Sequence, residues 1–174
     1  MAQIIVVGGG VSGLAAALKF GRAGHRVCVV ERDATPMPAS ADLAFEWDRR
    51  GAPQVRHSHA FLARLYGLLR DHEPDVLAEL LSAGASEMRF GDNLPPGMTN
   101  FERQAGDDDL VMLACRRTTF EWVLRRMAAA EGNVEFRTGE AVEGVIGAPG
   151  APEEPPLVTG VRLSTGSTLT ADVV

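Results

Sequence analysis

Gly8, Gly10 and Gly13 stand at the spacing Gly-x-Gly-x-x-Gly, and Glu31 follows eighteen residues after the last of them. Each glycine has a mechanical reason to be there. Gly8 allows a sharp turn out of a strand, Gly10 lets an anionic group approach the backbone, and Gly13 lets a helix pack closely on a sheet. A helix that begins at such a turn offers unpaired N–H groups and the positive end of its dipole to phosphate. A carboxylate at the end of the next strand accepts hydrogen bonds from both ribose hydroxyls of an adenosine and repels a 2′-phosphate. The set is therefore suited to an adenine dinucleotide. NADP is disfavoured, although Arg32 leaves an opening for it, and the residues alone leave NAD and FAD both open.

The elements that must position these groups are legible nearby. Residues 3–7 are an apolar, β-branched run, 14–20 are strongly helical, Gly24 stops that helix, and 26–30 suit a buried parallel strand. The unit is βαβ. Residues 33–40 are polar and proline-rich and must be loop. Ser58 is expected to cap a helix with Phe61, Leu62, Leu65, Leu68 and Leu69 on one face, and Pro74 to open another with Val76, Leu77, Leu80 and Leu81 inward, ended by Gly84. Residues 87–101 read as irregular or a hairpin, and Asp107, Asp108 and Asp109 as a solvated turn. Residues 110–114 form a strand that leads into a helix whose capping box pairs Thr118 with Glu121. Phe120, Val123, Leu124, Met127 and Ala128 are its buried face, and Gly132 ends it. Strands follow at 133–137, 141–146, 158–163 and 169–174, three of them joined by local turns into an antiparallel meander with a proline-rich tip at 149–156.

Composition bounds the rest. The chain has 174 residues, with a net charge of −6, 45% hydrophobic and 23% charged residues. One folded domain fits that length, and the acidic balance gives no electrostatic footprint for nucleic acid. No apolar run approaches the ~18 residues of a membrane span. Cys28 and Cys115 form no CxxC pair, and the opening residues lack the pattern of a secretory signal, so a reducing cytoplasm is expected. His57 and His59 have no third ligand in sequence for a metal. No Ser/His/Asp set, cysteine nucleophile or carboxylate pair is arranged by spacing, and no catalytic residue is assigned.

The segments 4–18, 21–27 and 30–32 together resemble the N-terminus of FAD-dependent oxidoreductases, most closely the aromatic-hydroxylase and related flavoprotein monooxygenase group. That resemblance implies FAD as cofactor, with Gly8, Gly10, Ser12 and Gly13 in the binding turn, Glu31 on the adenosine ribose and Arg32 near the adenine. Residues 51–61 resemble a Pro-Gln-x-x-His-x-His-x-Leu segment that runs beside the flavin in a subgroup of these proteins. There Gln54, Arg56 and His59 are donors able to reach a pyrophosphate or flavin oxygen; on their own they also read as ordinary loop residues. Arg117, Phe120 and Leu124 resemble an Arg-x-x-Leu-x-x-x-Leu signature, with Phe120 at its first leucine, whose arginine lies against the FAD. Arg116 stands where that group usually has serine, which leaves open which arginine faces the flavin. Val142 falls where a backbone group meets the adenine.

The fold class implied is α/β. It is a Rossmann-like, glutathione-reductase-type FAD-binding domain over residues 1–174, a parallel sheet plus an antiparallel meander, with an insertion toward the flavin and substrate side within 40–110. The family continues with an Asp-Ala-x-Gly stretch and later a Gly-Asp motif, so the domain is expected to be incomplete at its C-terminus and to leave room for a further segment or second chain. The function implied is the FAD-binding portion of a monooxygenase for a small aromatic or polyketide-like substrate, with NAD(P)H as external reductant. Two rivals stand beside it: a non-catalytic dinucleotide-binding module, and an NAD-dependent dehydrogenase domain in which strands and helices alternate after Arg32.

Overall fold

The structure is a computed structural model and describes residues 1–50, 52, 58–92, 97–98, 100, 102–150 and 155–174. The chain divides into two units, one made of Met1–Met37, Trp47–Pro53 and Leu124–Val174, the other of Pro38–Glu46 and Gln54–Val123.

The first unit starts with the expected βαβ. Strand β1 (Gln3–Val7) leads through the glycine turn into helix α1 (Val11–Arg22), and β2 (Arg26–Glu31) returns parallel to β1 with Ile4 opposite Val27 and Val7 opposite Val30. Branched residues at 4–7 and 27–30 suit strands covered on both faces. One face, with Ile4, Val27 and Val29, packs against Ala17 of α1, while the other, with Ile5 and Val30, packs on Val161 and Leu163. Gly24, at φ +83°, ends α1 as expected. The amide of Asn133 then donates to the carbonyls of Gly21 (2.8 Å) and His25 (2.6 Å), which ties the α1–β2 turn to the strand that follows it.

That strand, β6 (Val134–Thr138), is the third of the parallel sheet, in the order β1-β2-β6. The meander consists of β7 (Val142–Ala148), β8 (Leu157–Leu163) and β9 (Thr168–Thr170). The last strand is shorter than the expected 169–174. Ala171 still donates its N–H to the Thr159 carbonyl of β8 at 3.0 Å; beyond it Val173 forms a parallel bridge to Ile4, with the Ile5 N–H donating to the Val173 carbonyl at 2.9 Å. Edge hydrogen-bonding groups of β1 compete for those residues and win, because they lie in parallel register with β1. Within the proline-rich tip, residues 151–154 lie outside the described residues.

The second unit is built around an antiparallel sheet, β3-β5-β4, made of β3 (Ser58–Phe61), β4 (Ser86–Arg89) and β5 (Val111–Arg116). Helices α2 (Ala63–His72) and α3 (Pro74–Ser82) connect β3 to β4, and helix α4 (Arg117–Ala130) follows β5 directly. The boundary between the units falls inside α4. One expectation needs correction here. Ser58 does not cap a helix: Ser58–Phe61 pair with Arg116 to Leu113, and α2 begins five residues later, after Leu62. Sheet pairing has overridden a helical apolar spacing that runs through both segments. Of residues 87–101, read as irregular or a hairpin, 87–89 belong to strand β4, which pairs antiparallel with the next strand, β5. Pro74 does open α3, and Gly84, at φ +96°, follows its end. Asp107–Asp109 form a single 3-10 turn, in which Asp108 meets Arg103 at 2.9 Å. Strands and helices do not alternate after Arg32, as an NAD-dehydrogenase domain requires.

Among the described residues no helix is long and apolar enough to cross a membrane.

Candidate functional site

The carboxyl ends of β1 and β2 bring the glycine turn and Glu31 together. Gly8 has φ +100°, a left-handed backbone that favours glycine, and its N–H donates to the Val30 carbonyl at 2.8 Å. At Gly13 the constraint is space: a Cβ there would sit 1.9 Å from the Gly8 carbonyl oxygen. A Cβ on Gly10, at the start of α1, would meet no atom within 4 Å. Gly13 thus serves the fold, while Gly10 leaves open space at a helix N-terminus. Ser12 stands in the first turn of that helix.

Glu31 is 6% exposed, and its two oxygens already have protein partners. Oε2 accepts from the Gly9 N–H at 2.6 Å, and Oε1 from the Asp33 N–H at 2.8 Å. A carboxylate has about four lone-pair positions, so capacity for a ligand hydroxyl remains. The expectation that Glu31 serves both ribose hydroxyls is therefore joined by a second task, holding the turn.

Arg49 was not found by sequence reasoning, yet it is the cation of this site. It is 5% exposed. Its Nη2 donates to the Gly9 carbonyl at 3.1 Å and lies 3.5 Å from Glu31 Oε2, its Nη1 lies 3.4 Å from Asp33 Oδ2, and its Cζ is 4.9 Å from the centroid of the Trp47 ring. Burial alone would raise the Asp33 carboxyl; hydrogen bonds from Thr35 and the charge of Arg49 outweigh it and hold the group below the ordinary aspartate value. Arg125 stacks on Phe136, with its Cζ 4.1 Å from the ring centroid. Burial and then the Arg49 charge lower its affinity for a proton, against the pull of Glu31 and Asp33. In sequence nothing separates Arg49 from Arg50. The only signal for the cluster is the Glu-x-Asp spacing of Glu31 and Asp33.

Beyond the end of β2, Arg32, Asp33, Ala34, Thr35 and Arg50 line a cleft of about 530 Å³. Arg32 is exposed there, between Glu31 and Asp33 in the chain. Val142 begins β7 in the same unit, and the turn that leads into it is tied to β2 by the Glu140 N–H, which donates to the Glu31 carbonyl at 3.2 Å.

The remaining expected residues belong to the second unit or fall outside the description. Gln54 and Arg56, like His57, lie outside the described residues. His59 is in β3 opposite Cys115, and its Nε2 is buried without a hydrogen-bond partner among the described residues. Arg117 is the first residue of α4, and its Nε donates to Glu121 Oε1 at 3.1 Å, with Glu121 0% exposed. The expected capping box is absent: α4 starts at Arg117, so Thr118 lies inside the helix, and its buried Oγ1 has no partner among the described residues. Arg117→Ala is expected to cost about 1–3 kcal/mol of stability by depriving a buried carboxylate of a donor. Urea denaturation of the variant checks this, and an unchanged midpoint would show the pair to be idle.

A parallel sheet with a glycine turn and terminal acid on one side and an antiparallel meander on the other is the Rossmann-type architecture of the flavoprotein FAD-binding domain. Residues 3–46 match the family described as pyridine nucleotide-disulphide oxidoreductase. A search of curated proteins finds no match. Among solved structures, the chain is similar to PqsL, a probable FAD-dependent monooxygenase from Pseudomonas aeruginosa, with a TM-score of 0.65 and 18% identity over 97% of this chain and 40% of that one. It is also similar to 2-methyl-3-hydroxypyridine-5-carboxylic acid oxygenase, at 0.61 and 18% over 99% of this chain and 38% of that one. The Diels-Alderase PyrE3 of pyrroindomycin biosynthesis gives 0.60 and 22% over 96% and 30%. The chain spans about two fifths of the length of PqsL and has the fold of that portion.

Proposed function

We propose that this chain is the FAD-binding portion of a flavin-dependent monooxygenase acting on a small organic substrate, with NAD(P)H as the external reductant. The observation that carries the reading is the Glu31 carboxylate, fixed by Gly9, Asp33 and Arg49 at the end of β2 beside a glycine turn. An adenosine ribose there meets an acceptor with free lone pairs, and a pyrophosphate meets the open space at Gly10 and the N-terminus of α1. FAD supplies the redox chemistry when bound, and the protein supplies binding, orientation and shielding. Arg32 flanks the adenine, and Val142 offers it a backbone group. Protein beyond the two fifths shared with PqsL, as a further segment or second chain, completes such an enzyme in the cytoplasm.

The test is titration of the chain with ADP and FAD by calorimetry and flavin fluorescence. FAD is expected to bind more tightly than ADP, and Glu31→Ala to weaken both at least tenfold per folded molecule, because each charge-assisted hydrogen bond is worth about 1.5–3 kcal/mol. The same variant also loses the acceptor for two backbone N–H groups, so a lowered melting temperature accompanies the lost affinity. Unchanged affinity in the folded variant removes the ribose assignment. Equal affinity for ADP and FAD favours a dinucleotide-binding module without flavin chemistry.

A further inference from the structure

Of the two tryptophans in the chain, one has its N–H paired and the other does not. The indole N–H of Trp122 donates to the Pro38 carbonyl at 2.8 Å. The indole N–H of Trp47 is buried without a hydrogen-bond partner among the described residues, and the whole residue is only 3% exposed. An indole N–H can only donate, and a buried one normally finds an acceptor, so one left alone marks a partner that is missing. Packing does not require the group, because phenylalanine would also give Arg49 a ring to rest on.

The surroundings of Trp47 decide which partner. Trp47–Pro53 is a short stretch of the first unit that comes between two stretches of the second, and it brings Trp47 and Arg49 to the glycine turn together. Arg49 has its Cζ 4.9 Å from the centroid of the Trp47 ring and its Nη2 3.1 Å from the Gly9 carbonyl oxygen. The unpaired donor is thus one side chain away from the turn at which Gly10 leaves open space. Arg49 itself is held by Glu31 and Asp33, so its charge is already met from within the protein. Glu31 takes ribose hydroxyls and Arg32 is assigned to the adenine, which leaves the diphosphate as the acceptor beside the turn. An ionised oxygen is also the strongest partner an N–H can meet.

We propose that Trp47 is a ligand-holding residue of the dinucleotide site, whose indole N–H donates to a diphosphate oxygen when the site fills. The assignment rests on the dinucleotide reading and adds a side-chain donor where the glycine turn supplies backbone N–H groups. Because the N–H is covered in the free protein, the stretch 47–50 must shift as the ligand enters. The unpaired donor weakens the free protein, and the ligand relieves it, so affinity and local order at this turn rise together.

The test is nuclear magnetic resonance of the whole chain labelled with nitrogen-15 tryptophan, in which the Trp47 indole resonance is the one that Trp47→Phe removes. Saturating ADP is expected to move that resonance downfield and slow its exchange with solvent. Adenosine is expected to do neither, and the Trp122 resonance to stay in place. Trp47→Phe, which keeps a ring beneath Arg49, is expected to weaken ADP by about tenfold or more and adenosine hardly at all. A variant that merely disturbed the turn would lose both ligands alike. Circular dichroism checks its fold; if it unfolds, Trp122→Phe supplies the assignment and the wild-type resonance decides. A Trp47 resonance unmoved at saturating ADP, one already downfield and slow to exchange without ligand, an equal response to adenosine, or wild-type ADP affinity in Trp47→Phe overturns the proposal. If the wild-type chain binds no ADP, the dinucleotide reading falls and this proposal with it; if ADP binds and Trp47 does not respond, this proposal alone falls.

Discussion

Gly13→Ala and Gly10→Ala, three residues apart in one motif, are expected to fail in opposite ways. At Gly13 a Cβ would lie 1.9 Å from the Gly8 carbonyl oxygen and 3.2 Å from Val6 Cγ1. The first neighbour is backbone, so α1 must move off the sheet or the turn must open. Overpacking of this kind costs about 1–3 kcal/mol, more where backbone cannot yield, and for a chain of this size each kcal/mol lowers the melting temperature by about 2–4 °C. A loss of roughly 5–10 °C, with dinucleotide affinity falling as well, is the expected result. Gly10 has φ −82° and ψ −177°, an extended conformation open to any residue, and nothing within 4 Å of its missing Cβ. Alanine there leaves the melting temperature unchanged or slightly raised, since it removes freedom from the unfolded chain. It should nevertheless cut ADP affinity at least tenfold, by placing a methyl group where the pyrophosphate approaches. Thermal melts and ADP titrations of both variants separate the two roles. Wild-type affinity in Gly10→Ala would move the pyrophosphate away from this turn.

How much of this was legible in the sequence follows from the range over which each contact acts. The βαβ unit was legible because everything that specifies it is local: branched residues in 3–7 and 26–30, a glycine turn, an alanine-rich helix and Gly24. Glu31 was legible because its place at the strand end follows from the same local frame. The segment 58–69 misled because Phe61, Leu62, Leu65, Leu68 and Leu69 satisfy a helical period, while the pairing of His59 with Cys115 is set by residues more than fifty positions away. The Thr118 and Glu121 spacing misled for a related reason: a capping box needs a helix that starts from a loop, and α4 continues directly from β5. Arg49 escaped altogether, since its partners Gly9, Glu31 and Asp33 come from the far side of a proline-rich loop.

Arg49→Met is expected to be the most destabilising change among the polar residues. The side chain is buried with two carboxylates against it, and removal of one partner from a buried ion pair costs about 3–5 kcal/mol, because the charges left behind stay out of water. The sign of the pH dependence follows from Asp33, whose carboxyl Arg49 helps to hold below its ordinary value of 3.8. A depressed acid contributes stability that is present above its unfolded value and is lost as pH falls through the folded one. The gap between wild type and variant should therefore be full at pH 7 and narrow as pH drops below about 4, where protonation of Asp33 relieves the stranded charge in the variant and weakens the pair in the wild type. Asp33→Asn added to Arg49→Met should recover part of the loss at pH 7, as coupled neighbours do. Urea denaturation at pH 7 and at about pH 3 measures the gap, and a constant difference across that range, or one below about 1 kcal/mol, would show that Arg49 contributes packing on Trp47 rather than charge. Because Arg49 Nη2 also donates to the Gly9 carbonyl, the variant loosens the turn that Glu31 holds from the other side. ADP affinity should fall even in molecules that remain folded, which joins the stability of this unit to its capacity to hold a dinucleotide.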